Sequence, residues 1–398
     1  MDVARAGQSG VRRKKRERAE YFFDYSLLLS VFFLLGFGLV MIYSTSSYEA
    51  YQEYQNSTYF LTRQAWAVLL GLVGMMLVSN IDYHFWEKFN TLGYLVTVFL
   101  LALIPFFGIK VNGAKRWLPL PLIGFNLQPA EVAKLCMILF LASTICKIYQ
   151  IGRKIRTWKS FVVLIILPMP IVLMIYLITD NLSSAIIVLA ISCLMVFVAS
   201  PNYKKFLLLG GIGVAAVAGV IAYIVHSANN ATQTMGFRGA RILAWLNPEA
   251  FAQDQGFQTI QALYAIGSGG IWGKGLGESM QKLGFLPEAQ NDMIFSIICE
   301  ELGLFGAVSI ILLFILLLWR MMIIANNAPD LFGALLVVGV ISHIGVQVIL
   351  NIAVVTNTVP NTGISLPFIS YGGSSVLFLM AEIGLVLSVA KRIQLKDQ

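Results

Sequence analysis

The chain has 398 residues, 58% hydrophobic and only 12% charged, with a mean hydropathy of +0.78. Soluble domains run about 45–50% apolar and about 25% charged, so this composition excludes a water-facing enzyme, a disordered chain and a nucleic-acid-binding domain. The net charge of +8 is divided among long apolar runs and does not gather on one surface. What remains is an all-α polytopic membrane protein.

A helix of about 20 residues crosses the hydrocarbon. Runs of that kind predict ten spans, at 25–43, 64–80, 91–107, 131–149, 161–179, 183–199, 206–226, 293–325, 332–355 and 374–391. Residues 1–23 carry Arg12-Arg13-Lys14-Lys15-Arg16 with no small-residue cleavage site after the first apolar run. They read as a basic cytoplasmic tail, with 24–391 as the membrane domain and 392–398 as a second short tail. With the N-terminus inside, 19 of the 28 Lys and Arg fall on the inner side and eight outside, with Lys134 in a span. That bias fits the positive-inside rule with both termini cytoplasmic, and an odd number of spans breaks it. The outer segment 227–292 is far longer than a connector and rich in aromatic residues, which predicts a packed loop with short interfacial helices. No internal repeat is evident, which weakens a transporter reading. Cys136, Cys146, Cys193 and Cys299 sit in apolar runs without metal spacing and read as small core residues.

Four outer-side stretches carry chemistry. In the first, Lys115-Arg116-Trp117 is followed by Gln128-Pro129-Ala130-Glu131 and Lys134. Pro129 suits the first turn of a helix, which places Glu131 and Lys134 at i, i+3 on one face. Basic residues with a tryptophan, facing outward against the charge bias, point to an anionic ligand; an ion pair with an aromatic anchor is the alternative. In the second, Asp180-Asn181, the bland reading is a helix cap. The third runs from Lys282 through Glu288 to Asp292 and on to Glu300 and Glu301. Asp292, where the long loop meets a span, is placed either to favour the helix dipole or to act as a general base. Glu300 and Glu301 lie about two turns deeper, where ionisable groups are costly and need a reason. The fourth, 360–375, holds two prolines and three glycines, and non-helical backbone at that depth survives only when buried or lining a cavity. Gln347 and Asn351, at i, i+4 on the ninth span, can support such a cavity.

These residues resemble the SEDS (shape, elongation, division and sporulation) family. The resemblance extends from Asp24-Tyr25-Ser26 and Gly38-Leu39-Val40-Met41-Ile42-Tyr43-Ser44 to Ser374-Ser375. Its most specific motifs are Asn112-Gly113-Ala114-Lys115-Arg116-Trp117 with Gln128-Pro129-Ala130-Glu131 and Lys134, Gly267-Ser268-Gly269-Gly270 with Gly273-Lys274-Gly275-Leu276-Gly277, Leu286-Pro287-Glu288-Ala289 up to Asp292, and Ile369-Ser370-Tyr371-Gly372-Gly373. Asn247-Pro248, Gln281-Lys282 and Pro287-Glu288-Ala289-Gln290 resemble the division and sporulation branches more than the elongation branch. Thr179-Asp180-Asn181-Leu182 departs from the Gln-Pro-Asp-Leu-Gly of many members, and Asn291 stands where Thr is commoner.

The resemblance implies a ten-helix peptidoglycan glycosyltransferase that polymerises lipid II on the outer face of the bacterial cytoplasmic membrane. A lipid II flippase and a non-catalytic scaffold recruiting a transpeptidase are the alternatives. Asp292 is the expected catalytic base. Arg116, Trp117, Glu131, Lys134, Lys282, Gln347 and Ser370 form the expected substrate-binding set, with Asp180 and Glu300 as further candidates. No cofactor is required, although a divalent cation (Mg or Mn) is compatible with pyrophosphate departure, and no dedicated metal cage is encoded. The expected partners are lipid II, the nascent lipid-linked glycan, a single-span class B penicillin-binding transpeptidase and other division proteins, with no nucleic acid.

Overall fold

In hydrocarbon every backbone N–H and C=O must be satisfied within the segment, so long apolar runs become helices. The computed structural model of the protein describes residues 24–111, 114–120, 125–150, 158–200, 204–230, 237–254 and 256–393. The basic tail at 1–23, Asn112-Gly113 of the first motif and residues 394–398 lie outside the described residues. Ten helical spans are present among those described. In chain order the helices are α1 (Tyr25–Tyr54), α2 (Tyr59–Asn80), the short α3 (Tyr83–Glu87), α4 (Asn90–Phe107), α5 (Pro129–Gln150), α6 (Trp158–Ile166), α7 (Met169–Ile178), α8 (Leu182–Ala199), α9 (Lys204–Asn230), α10 (Phe237–Leu246), α11 (Phe257–Gly269), α12 (Ile294–Asn326), α13 (Leu331–Val355) and α14 (Gly373–Ala390). The fifth span is α6 and α7 together, interrupted at Leu167-Pro168.

α14 packs along α2, and α13 lies among α12, α8 and α5, so α5 and α13 occupy the middle of the bundle. α9 is the exception. None of its membrane window is buried inside the protein, and it packs against α10. Asp24 caps α1 by accepting from the Leu27 N–H at 2.9 Å and is clamped by Arg320 at 2.8 Å. Asn181 caps α8 by accepting from the Ser184 N–H at 3.0 Å. The capping reading of Asp180-Asn181 therefore holds for Asn181. Asp180 sits beside it with φ 51°.

Two local structures were not legible as spans. Three strands form an antiparallel sheet, β1 (Ile109–Val111), β2 (Ala114–Leu120) and β3 (Phe125–Leu127), in the order β1-β2-β3. It carries Arg116 and Trp117 on β2. The other is a break inside α12 at Gly303, whose φ of 67° is outside the helical range. There the chain pairs with the glycine-rich segment after α11. Lys274 and Gly275 N–H donate to the Glu300 and Glu301 carbonyls at 2.9 Å each, and Leu304 N–H donates to Gly270 O at 3.0 Å. A Cβ at Gly273 would stand 2.2 Å from Glu301 O, so only glycine permits this approach. The pairing satisfies backbone groups that the helix break frees. The long segment between α9 and α12 contains α10, a 3-10 turn at Glu249–Phe251 and α11, short helices of the kind its aromatic content predicts.

Candidate active site

The non-helical segment between α13 and α14 is the platform of the site. Ser370 Oγ accepts from the Leu366 N–H at 2.7 Å and donates to Asn291 O at 2.6 Å, while Tyr371 N–H donates to Gln290 O at 2.9 Å. Asn351 Nδ2 donates to the carbonyls of Asp292 (2.8 Å) and Ile364 (2.6 Å). Ser183 on α8 donates to Thr362 O. These bonds fasten the 360–372 segment to the turn that presents Asp292, one residue before the Met293 N-cap of α12. Gly363 lies against that side chain: a Cβ there would be 3.6 Å from Asp292 Oδ2.

Asp292 is 9% exposed, and its Oδ1 has no hydrogen-bond partner among the described residues. Burial pushes its carboxyl up to about 7, and the Glu288 carboxylate adds to the rise. Its own backbone N–H, Arg241 and the Met293 N–H act the other way. Arg241, on α10, donates to Asn361 O at 3.4 Å. Burial lowers its pKa, Arg116 lowers it further, and Asp292 and Asp180 oppose the fall. Two guanidinium groups from β2 and α10 are therefore close enough to repel each other beside two aspartates. Arg116 is held by the α7–α8 turn, donating to Thr179 O at 3.3 Å and Asp180 O at 2.8 Å. Trp117 is half-buried next to it, opposite Ile109 in the sheet. A cavity of about 200 Å³ lined by Arg241, Trp245, Gln258, Pro287 and Asn361 adjoins this cluster.

The structure gathers Asp292, Arg116 and Asp180 from the expected set and adds Arg241. Lys134 is placed differently. It is 2% exposed, with its ammonium 2.7 Å from Glu131 Oε1 and 3.3 Å from Gln347 Oε1. It reaches the platform only through Gln347, whose Nε2 donates to Ser365 O at 3.0 Å. Lys282 and Glu300 are anchors, not ligand-facing groups. The Lys282 ammonium bonds Glu301 (2.7 Å) and Ser44 (2.9 Å), and Glu300 takes Lys274 (2.6 Å), Ser279 Oγ and the Met280 N–H (3.2 Å). These pairs are the reason two glutamates are tolerated at that depth, and they pin the long outer segment to α12. Ser370 likewise spends its hydroxyl on backbone. Among the described residues no group of three or more His, Cys, Asp or Glu is suited to a metal.

The burial of the Glu131–Lys134 pair shapes a test of Lys134. Lys134→Met alone leaves Glu131 buried without its partner, a loss of about 3–5 kcal/mol in stability. Glu131→Gln combined with Lys134→Met removes both charges and should restore the melting temperature. Glycan synthesis that stays absent in the stable double variant assigns the Lys134 charge to the reaction. Normal synthesis there leaves it a structural pair.

The model of the FtsW, RodA and SpoVE family of cell cycle proteins matches residues 25–395. A protein of Trichlorobacter lovleyi named "Probable peptidoglycan glycosyltransferase FtsW" is 39% identical over 97% of this chain and 97% of its own. Stage V sporulation protein E of Bacillus subtilis is 38% identical over 92% of this chain and 97% of its own. Among solved structures, a chain of a peptidoglycan synthase complex in which polymerization and crosslinking are coordinated superposes with a TM-score of 0.75 at 27% identity, covering 94% of this chain and 99% of that one. The rod shape determining protein RodA of Thermus thermophilus gives 0.66 at 27% identity, covering 94% and 98%. With the fold, the length and the motifs all accounted for, the chain belongs to the FtsW, RodA and SpoVE family of multi-pass membrane proteins.

Proposed function

We propose that the protein is a peptidoglycan glycosyltransferase that polymerises lipid II at the outer face of the cytoplasmic membrane, in septal or sporulation wall synthesis. The observation that carries the reading is Asp292, a buried acid with an unpartnered oxygen, with Arg241 acting on it and Arg116 acting in turn on Arg241. In the transfer, a sugar hydroxyl oxygen bonds to the anomeric carbon of the donor. The bond from that carbon to the lipid-linked pyrophosphate breaks, and the pyrophosphate departs with the electron pair. Asp292 receives the hydroxyl proton, worth roughly 10²–10⁴ in rate. Arg116 and Arg241 stabilise the charge growing on the leaving group. Lys134, paired with Glu131, holds the platform through Gln347. A divalent cation (Mg or Mn) would add charge neutralisation to the departing pyrophosphate, and the described residues form no cage for it. Purified protein given lipid II alone should form glycan polymer. Movement of lipid II across vesicles without polymer would instead support a flippase.

Both termini face the cytoplasm in this reading, supported by the 19-to-8 division of Lys and Arg. In a cysteine-free background, a membrane-impermeant reagent added outside should label Gln253→Cys and not Asp2→Cys. Labelling of both would refute the orientation.

The sequence lacks the Lys-Thr-Gly element that serine transpeptidases of the penicillin-binding type carry beside Ser-x-x-Lys, so crosslinking has to come from a second protein. We assign that role to a single-span class B penicillin-binding transpeptidase, a reading supported by the likeness to a chain of a synthase complex. Purification from native membranes should carry the transpeptidase along with the polymerase. Absence of any transpeptidase from protein gently extracted from native membranes would count against the pairing.

A further inference from the structure

Below the platform, α13 presents His343, Gln347 and Asn351 at four-residue intervals on one face, exposed by only 1%, 2% and 0%. Asn351 and Gln347 hold the Asp292 turn and the Ser365 segment, as described above. His343 continues the row and touches neither. Its Nε2 lies 2.9 Å from Gln347 Oε1, and its Nδ1 lies 2.8 Å from Oε2 of Glu382 on α14. Glu382 is fully buried and its Oε1 has no partner among the described residues.

The donors and acceptors in this row decide where protons sit. An ammonium only donates, so the atom of Gln347 facing Lys134 is its carbonyl oxygen, which leaves the amide NH₂ for Ser365 O. That oxygen cannot donate to His343, so Nε2 carries a hydrogen. The contact between Nδ1 and Glu382 then needs one proton as well, carried by either atom. In both cases the pair is neutral overall, which is the form a membrane interior tolerates.

We infer that His343 and Glu382 are a positioning pair holding one shared proton, and that through Gln347 they fix Lys134 and the Ser365 segment of the platform. Neither residue touches substrate. The carboxyl fixes the ring tautomer, the ring fixes the glutamine amide, and the amide sets an ammonium on one side and the platform on the other. Without the ring, Gln347 Oε1 loses one of its two donors, and the glutamine is left held by Lys134 and Ser365 alone. The inference rests on the glycosyltransferase reading for its kinetic consequence, but not for the proton assignment.

The test compares Glu382→Gln, Glu382→Leu and His343→Leu in full-length protein. Gln at 382 can donate an amide hydrogen to Nδ1 and keeps the Nε2–H tautomer, whereas Leu cannot. Glu382→Gln should keep kcat within about threefold, while Glu382→Leu and His343→Leu should lose about 10–100-fold in kcat with KM for lipid II nearly unchanged. Equal losses in Glu382→Gln and Glu382→Leu, or a wild-type kcat in His343→Leu, would overturn the inference. So would losses that merely follow a lowered melting temperature. Nitrogen-15 spectra of labelled histidine give an answer independent of activity, since the chain has only three histidines. A protonated Nε2 at His343 supports the pair, and an unprotonated Nε2 refutes it. If leucine variants do not fold, Glu382→Gln and the spectrum decide. If wild-type protein makes no glycan, the function reading fails while the spectrum still judges the pair.

Discussion

Asp292→Asn should lose glycan polymerisation by roughly 10²–10⁴, because Asn keeps the shape and cannot accept a proton. The fold should not suffer. The carboxyl holds its proton up to about 7 in the folded protein, against an ordinary value of 3.8. A raised value means that folding is favoured while the group is protonated. Wild-type stability is therefore lost as pH rises from about 4 through 7. Asn removes that burden, so above pH 7 the variant should melt at or above the wild-type temperature. Glu288→Gln is the control. It lies four residues away and bonds Asn291 Nδ2, and its charge helps raise Asp292. Removing it should shift the pH dependence of turnover to lower pH and cost little at neutral pH. Comparable losses in the two variants would remove Asp292 from the chemistry.

Arg241→Gln and Arg116→Gln should each lower kcat by about 10²–10³, the usual cost of deleting a preorganised donor to a developing anion. The two groups come from different elements and act on one pyrophosphate. The double variant should therefore lose less than the product of the single losses. Arg→Lys at either position should recover only part, since an ammonium cannot keep the planar fork that bonds Thr179 O and Asp180 O together at 116. Turnover near wild type in Arg241→Gln, measured on lipid II with the protein folded, would place the anion elsewhere.

The membrane spans were legible because composition and run length leave few alternatives, and every long apolar run in the sequence corresponds to a helix here. The spacing of Gln347 and Asn351 and the prolines and glycines of 360–375 likewise pointed to a supported, non-helical platform. The three-stranded sheet was not legible, because strands of three to seven residues interrupted by Gly and Pro show no alternation to read. Arg241 escaped for a different reason. Like Arg116, it is basic on the outer side against the charge bias, but the sequence holds eight such residues and cannot rank them. Only the folded chain brings Arg241 within electrostatic reach of Arg116. Lys282 shows the converse. It shares that outward basic signal, yet its ammonium is buried against Glu301. His343 gave no metal spacing, and its link to Glu382 spans 39 residues between two helices, a pairing no local pattern reveals.

Asp292 has to be ionised to take the hydroxyl proton, and kcat/KM for lipid II polymerisation by purified protein between about pH 5 and 9 reads that ionisation. The value should climb with pH, about tenfold per pH unit at the acid end, and level off above about 7, where Asp292 becomes ionised. The residual activity of Asp292→Asn should lack that limb. A profile that is flat across this range, or a limb that survives unchanged in Asp292→Asn, would contradict the assignment.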